Sequence, residues 1–188
     1  MEPNSDEVSR WRATARERLM EEWARRLENP TVGVRTVEAI QPVLSEWCNR
    51  RHGALTFRLT QVLSGHGCFG RYLCRVAIRE PTMACHWCPS EEDTADHTLS
   101  VCPAWSVDRQ RLVAAVGPDL SLPSVVRAMV RDNRSWGAVV AFCEEVMARK
   151  EEAERARERN PLADPRRRQR PSRRRRRVAI ASDRDLPP

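Results

Sequence analysis

Lysine is almost absent from this 188-residue chain: Lys150 stands alone, and 32 arginines supply the remaining side-chain positive charge. Long apolar runs are missing as well. No stretch approaches the ~18 consecutive apolar residues of a spanning helix, so no membrane segment is expected. The opening residues MEPNSDEV lack the basic region and apolar run of a secretory signal, which points to a nuclear or cytoplasmic protein rather than a secreted one. Cysteines number seven, an odd count in a chain without a signal, so reduced thiols and a metal site are expected in place of a disulfide framework. Catalytic signatures are wanting too. There is no G-x-x-x-x-G-K-[ST] loop, no H-E-x-x-H and no paired-aspartate motif for two magnesium ions. The chain by itself is therefore not expected to be an enzyme. Acidic pairs such as Glu21-Glu22, Glu144-Glu145 and Glu151-Glu152 fall on charged helix faces and read as solubilising.

Net charge is missing from most of the molecule. Residues 1–160 hold 23 basic and 23 acidic side chains, whereas residues 161–188 hold 10 arginines and 3 aspartates. The whole excess of +7 belongs to the last 28 residues. Of the 37 Leu, Ile, Val and Phe residues, 33 precede Asn160. The body can build a modest core; the tail cannot, and is expected to be disordered.

The body reads as mostly α, with no internal repeat and no convincing sheet. Asn4 and Glu7 have capping-box spacing ahead of a helix from Ser5 to Glu28, whose stripe is Val8, Trp11, Ala15, Leu19, Trp23 and Leu27. Core packing is the simplest role for its two tryptophans. A second helical segment spans Thr36 to His52, bent or restarted at Pro42, with Gly53 suited to the C′ position. Residues 55–63 fit a strand or a helix, and helix is favoured because Gly65-His66-Gly67 follows as a stop. The stripe Phe69, Tyr72, Leu73, Val76 is a further helix ending before Pro81. Pro103 and Pro123 each start a helix, and Ser135 suits the cap of a longer one carrying Trp136, Val139, Val140, Cys143, Val146 and Met147. The distal KEEAERARER has no apolar stripe and is expected to project into solvent until Asn160-Pro161 stops it. Four segments result: helical residues 1–80, a Cys/His-rich segment at 81–104 read below as a zinc knuckle on its ligand spacing, C-terminal helices at 105–160 and an Arg-rich tail at 161–188.

The strongest chemical signal is Cys85-His86-Trp87-Cys88, then His97, then Cys102, a C-x2-C-x8-H-x4-C spacing. Two cysteines two apart bind one metal through a tight turn. His97 and Cys102 complete a shell of three thiolates and one imidazole, with no open position for a substrate. That is the donor set of one structural zinc. Alternatives are a chance grouping of buried thiols, His86 in place of His97, or a nucleophilic Cys/His pair, which would need one activated thiolate. Cys48, Cys68, Cys74 and Cys143 lie on or beside apolar stripes and read as small buried residues. His66 and Cys68 lack two further ligands for a second site. Trp87, between the knuckle cysteines, can stack on an unpaired base or pack over the metal.

The second signal is RRRQRPSRRRRR at residues 166–177. Arg166, Arg167, Arg168, Arg170, Arg173, Arg174, Arg175, Arg176 and Arg177 can each contact a phosphate bidentately, giving salt-sensitive affinity for RNA or DNA with little sequence preference. The run also suits nuclear import, and it can equally be a solvated tail with no selected role.

The segments LTFRLTQVLSGHGCFGRYL, EEDTADHTLSVCPAW with the Cys/His cluster, LVAAVGPDLSLPSVVRAMV and SWGAVVAFCEEVM resemble, in that order, the C-terminal region of arthropod non-LTR retrotransposon polyproteins. The resemblance covers roughly residues 19–155. In that family an endonuclease and a reverse transcriptase precede a closing zinc-knuckle segment. The resemblance implies that Cys85, Cys88, His97 and Cys102 are zinc ligands. It also implies that the surrounding helices form a post-polymerase region handling element RNA or target DNA beside the rest of the retrotransposon machinery. The family's adjacent polymerase aspartates have no counterpart here, so no polymerase or endonuclease activity carries over. The arginine tail lies outside the resemblance. The expected function is thus a zinc-stabilised, mostly helical nucleic-acid-binding module. A protein-interaction module with a structural zinc, or an inert retrotransposon-derived fragment, are the alternatives.

Overall fold

In the computed structural model, which describes residues 4–167, eight α-helices and a few 3-10 turns follow one another, with no strand among the described residues. Helix α1 (Ser5–Arg26) starts as its sequence dictates: the Asn4 side chain accepts from the backbone of the first turn, and Glu7 accepts from the Asn4 N–H. None of its residues is buried. Trp11 is 65% exposed and Trp23 43%, so the expected core role of these tryptophans is corrected. The reason is that α1 lies at the margin of the bundle; Arg16, bonded to Asn49 Oδ1 at 2.7 Å, ties it to α3 (Leu44–Asn49).

Pro42 does restart its segment. Helix α2 (Val34–Ile40) gives way to a 3-10 turn at Gln41–Val43 before α3, because proline lacks the N–H that a continuous helix needs. Helix α3 stops at Asn49, so Gly53 is not its C′ residue. Gly53 is required for another reason. Its φ is +75°, and a Cβ there would come within 2.3 Å of the Trp136 ring. Arg50 lies between Trp47 and Trp136, 4.4 Å from each ring centroid. Residues 57–64 are helical, as favoured: α4 (Phe57–Ser64) is capped by Thr56, whose Oγ1 accepts from Leu59 N. Helix α5 (Gly70–Arg75) follows.

Beyond the loops that carry Cys85, Cys88, His97 and Cys102 come α6 (Ser106–Val116), α7 (Leu122–Arg131) and α8 (Asn133–Arg159). The cap of α8 is Asp132 and not Ser135; Asp132 accepts the Ser135 N–H at 2.7 Å, a bond that holds its carboxyl down at about 2. Helix α8 is the axis of the molecule, with α4, α6 and α7 packed around it and α2 laid on α7. Val139, Cys143, Val146 and Met147 of α8 meet Leu59, Phe69, Leu112, Val126 and Met129 in one core. That core also takes Ala39, Cys85, Leu99, Cys102 and Trp105, so residues drawn from all three body segments share it.

One face of the distal half of α8 is buried, contrary to its sequence pattern, while Glu152, Arg155, Ala156 and Arg159 are exposed. Lys150 is 1% exposed, and Glu151 and Glu154 are buried as well. The charges of this face are compensated by ion pairs with Asp93, Arg58 and Arg167 and not replaced by an apolar stripe, and period counting is blind to that. The tail also begins later than its composition indicates. Residues 165–167 form a 3-10 turn, and Arg167 is 9% exposed between Glu80 and Glu154. Among the described residues no helix is long and apolar enough to cross a membrane.

Candidate metal centre

The residues between α5 and α6 have almost no regular structure, and backbone bonds between loops hold them. Cys85 N donates to Ser90 O at 2.9 Å, closing the turn that carries Cys85 and Cys88. Asp93 N donates to Met83 O at 2.8 Å, and Arg71 N to Asp93 O at 3.0 Å. His97 stands at the start of one wide turn, His97–Val101, closed by Cys102 N on His97 O at 2.7 Å. Thr94 Oγ1 accepts the His97 N–H at 2.9 Å. Pro103 ends the turn and leads through a 3-10 turn into α6. The side chain of Arg109 on α6 staples the loop, donating to Leu99 O at 2.9 Å and to Cys102 O at 2.7 Å.

This scaffold brings Cys85, Cys88, His97 and Cys102 together, with their ligand atoms all within 4.8 Å of one another. Cys85 Sγ lies 3.9 Å from Cys102 Sγ, and Cys88 Sγ lies 3.2 Å from His97 Nε2. A tetrahedral zinc with ordinary bond lengths has S···S edges of about 3.8 Å and S···N edges of about 3.6 Å. The residues present therefore fit one metal ion. Trp87 N points at Cys85 Sγ at 3.4 Å, the amide-to-sulfur contact of a tight Cys-x-x-Cys turn. Burial pushes the Cys102 thiol up to about 12, with Cys85 and Cys88 beside it adding to the effect against an Ala104 N–H. Burial raises Cys85 as well and lowers His97. Crowded thiols in a dry site are poor anions alone and good ones around a divalent cation.

His86 is turned to another task. Its Nε2 lies 2.9 Å from Glu80 Oε1, and it is outside the ligand group. Glu80 is buried, which by itself would raise its carboxyl, yet His86 and Arg167 hold it below the usual carboxylate range. Trp87 is 36% exposed and packs on buried Trp105 at a centroid distance of 4.7 Å, so it covers the loop with one part and keeps another in solvent. His66 stacks on Tyr72 at 5.0 Å, and neither it nor Cys68 joins a metal group among the described residues. Of the remaining cysteines Cys143 is buried as expected, whereas Cys48, Cys68 and Cys74 are only half-buried, Cys68 packing against the core.

Among the arginines read as phosphate contacts, Arg167 is withdrawn from solvent by Glu80 and Glu154, and Arg166 is bonded to Asp164. Arg168, Arg170, Arg173, Arg174, Arg175, Arg176 and Arg177 lie outside the described residues.

Sequence reasoning missed the buried support beneath the metal loop. Lys150 Nζ donates to both oxygens of Asp93 at 2.8 Å and to Thr98 Oγ1 at 3.1 Å. Asp93 Oδ2 also accepts from Gly70 N at 3.1 Å, and Thr98 donates to Asp93 Oδ1 at 3.2 Å. Three elements, α8, α5 and the metal loop, thus converge on one ion pair. The available signal was that the chain's one lysine lies within a helix whose other basic residues are arginines. No protein-family model, no curated protein and no solved structure matches this chain.

Proposed function

We propose that the chain is a zinc-stabilised helical module that binds single-stranded nucleic acid, of the kind that closes retrotransposon reverse transcriptase polyproteins. The observation that carries this reading is the convergence of three thiols and one imidazole, in a closed four-donor set, beside a tryptophan that is part packed and part exposed. A zinc held by Cys85, Cys88, His97 and Cys102 would order loops that have little backbone regularity of their own. The free part of Trp87 offers a stacking surface for an unpaired base. Arg168, Arg170 and Arg173 to Arg177 would supply sequence-tolerant phosphate contacts. The donor set is full without a substrate, so no catalytic step is assigned to this chain alone.

The test is fluorescence anisotropy with labelled single-stranded RNA and DNA across a salt series. Trp87→Ala should weaken binding at every salt concentration. Replacing the seven arginines from 168 to 177 by glutamine should flatten the dependence on salt. Absence of binding at low salt by the zinc-loaded chain refutes the reading.

A second reading has its own support. Helix α1 has no buried residue and exposes Trp11, Leu19 and Trp23, which suits a protein-docking module. Retained zinc with no nucleic-acid binding would favour it.

A further inference from the structure

Helix α1 keeps an apolar stripe that the bundle does not cover. Trp11, Ala15, Leu19 and Trp23 recur every four residues, and all four are exposed: Trp11 is 65% exposed, Leu19 45% and Trp23 43%. The side turned to the body is a neighbouring one. Arg16, which donates to Asn49 Oδ1 and to the Cys48 carbonyl, lies on it with the half-buried Met20, Ala24 and Leu27. No residue of α1 is buried, and none packs into the core. Two indoles and a leucine in water along about 18 Å of one helix are more than scattered apolar residues; a face of that kind marks an interaction site.

Charge identifies the occupant. From Ser5 to Arg26 six arginines are interleaved with five carboxylates. A lipid surface or a phosphate backbone calls for an uncompensated basic face, which this helix lacks. Its charges are sorted along the axis instead, with Asp6 and Glu7 in the first turn and Arg25 and Arg26 in the last. A second α1 running antiparallel sets each acidic first turn beside the other copy's basic last turn and opposes the two helix dipoles; a parallel copy sets like charges together at both ends. Arg26 keeps its exposed pair with Glu22 of the same helix, and Arg25 is exposed beside it. The apolar stripe has the same symmetry. A two-fold axis midway along it brings Trp11 of one copy to Trp23 of the other at both ends, and Ala15 to Leu19 in the middle, a small residue against a larger one where the helices cross. We propose that the face formed by Trp11, Ala15, Leu19 and Trp23 is a homodimer interface in which two copies of α1 pack antiparallel. The dimer rests on the reading of α1 as a docking face and owes nothing to nucleic-acid binding. It is closed, because two stripes that meet leave none for a third copy. It is also small, the two indoles offering about 200 Å² per copy, which places it at the weak end of protein interfaces. Since α1 gives no residue to the core, the pair comes apart without unfolding the bundle, and the readout is mass rather than melting temperature.

Sedimentation velocity on the zinc-loaded full chain tests this over a concentration series of about 1 to 300 µM, the range in which a small interface forms. The protein is first freed of nucleic acid, so that no shared strand bridges two arginine tails. The mass should rise with concentration towards two chains and stop there. Leu19→Glu places a charge within the stripe at an exposed position. It should raise the dissociation constant about tenfold or more, with helix content by circular dichroism unchanged. Arg25→Gln with Arg26→Gln should weaken the pair several-fold at low salt, although it lowers the chain's net charge of +7, a change that by itself favours association. A chain that stays monomeric throughout, a dimer that Leu19→Glu leaves intact, or growth beyond two copies overturns the proposal. Unchanged or tighter pairing after Arg25→Gln with Arg26→Gln overturns the antiparallel arrangement. Hydroxyl-radical footprinting of the dilute chain separates the two ways of remaining monomeric. Free modification of Trp11 and Trp23 leaves a docking face for a different protein, whereas protection of both shows that the chain covers its own stripe and refutes the docking reading as well.

Discussion

Replacing the single lysine should be the most damaging change at any charged position. Lys150 is buried, and its three donors are used on Asp93 Oδ1, Asp93 Oδ2 and Thr98 Oγ1. Lys150→Met keeps the length of the side chain and much of its packing against Phe69, over whose ring the ammonium lies 5.0 Å from the centroid. What it removes is, among the described residues, the only cation bonded to Asp93, whose carboxylate would then retain the Gly70 N–H and the Thr98 hydroxyl. Removing one member of a buried pair costs about 3–5 kcal/mol, because the other is left uncompensated. With a urea dependence of about 2 kcal/mol per molar, the unfolding midpoint in saturating zinc should fall by roughly 1.5–2.5 M. Asp93→Asn should cost a similar amount. The double change Asp93→Asn with Lys150→Met removes both charges and leaves an amide that can still accept from Gly70 N. It should be better than the sum of the singles by about 2 kcal/mol or more. Singles costing under about 1 kcal/mol, or a double change that is simply additive, would refute the claim that this ion pair supports the metal loop.

Gly53→Ala should cost roughly 2–4 kcal/mol by urea unfolding, since it combines a left-handed backbone with a methyl group driven into Trp136. Arg167→Gln should cost about 2–4 kcal/mol, because it leaves buried Glu80 and Glu154 without the guanidinium that joins them. The exposed Arg166→Gln is the control and should leave the melting temperature unchanged. Trp11→Ser should also leave the melting temperature unchanged, as an indole 65% exposed contributes little to the core; a fall of several degrees would show α1 packed more closely than described. Chelation of the metal should lower the melting temperature and loosen the loops between Met83 and Cys102, read as faster amide exchange there, while α7 keeps its protection.

Apolar spacing carried the helices well. It placed α4 and α6 to α8 from periods of three and four, and the turn chemistry of Asn4, Pro42 and Pro103 marked where chains start or restart. The grouping of Cys85, Cys88, His97 and Cys102 was legible for a related reason, as their spacing is itself the geometry of a tight turn followed by one helical turn. Periodicity failed where the burying force was not apolar. Lys150, Glu151 and Glu154 looked like a solvated helix end because no pattern of charges along one helix says which distant loop supplies the counter-ions. Arg167 was hidden in an arginine run for the same reason, since only the fold brings Glu80 to it. The reverse error occurred at Trp11 and Trp23, where an amphipathic stripe exists but the bundle does not cover it. An apolar stripe states that a face seeks a partner, not that the same chain provides one.

The central claim is that Cys85, Cys88, His97 and Cys102 hold one structural zinc. Elemental analysis of the purified, dialysed full chain tests it most directly, with Cys85→Ser, Cys102→Ser and Cys68→Ser measured alongside. About one zinc per chain is expected, lost in Cys85→Ser and Cys102→Ser and kept in Cys68→Ser, whose thiol lies outside the cluster. Less than about half an equivalent in the natural chain, unchanged by Cys85→Ser, would contradict the account.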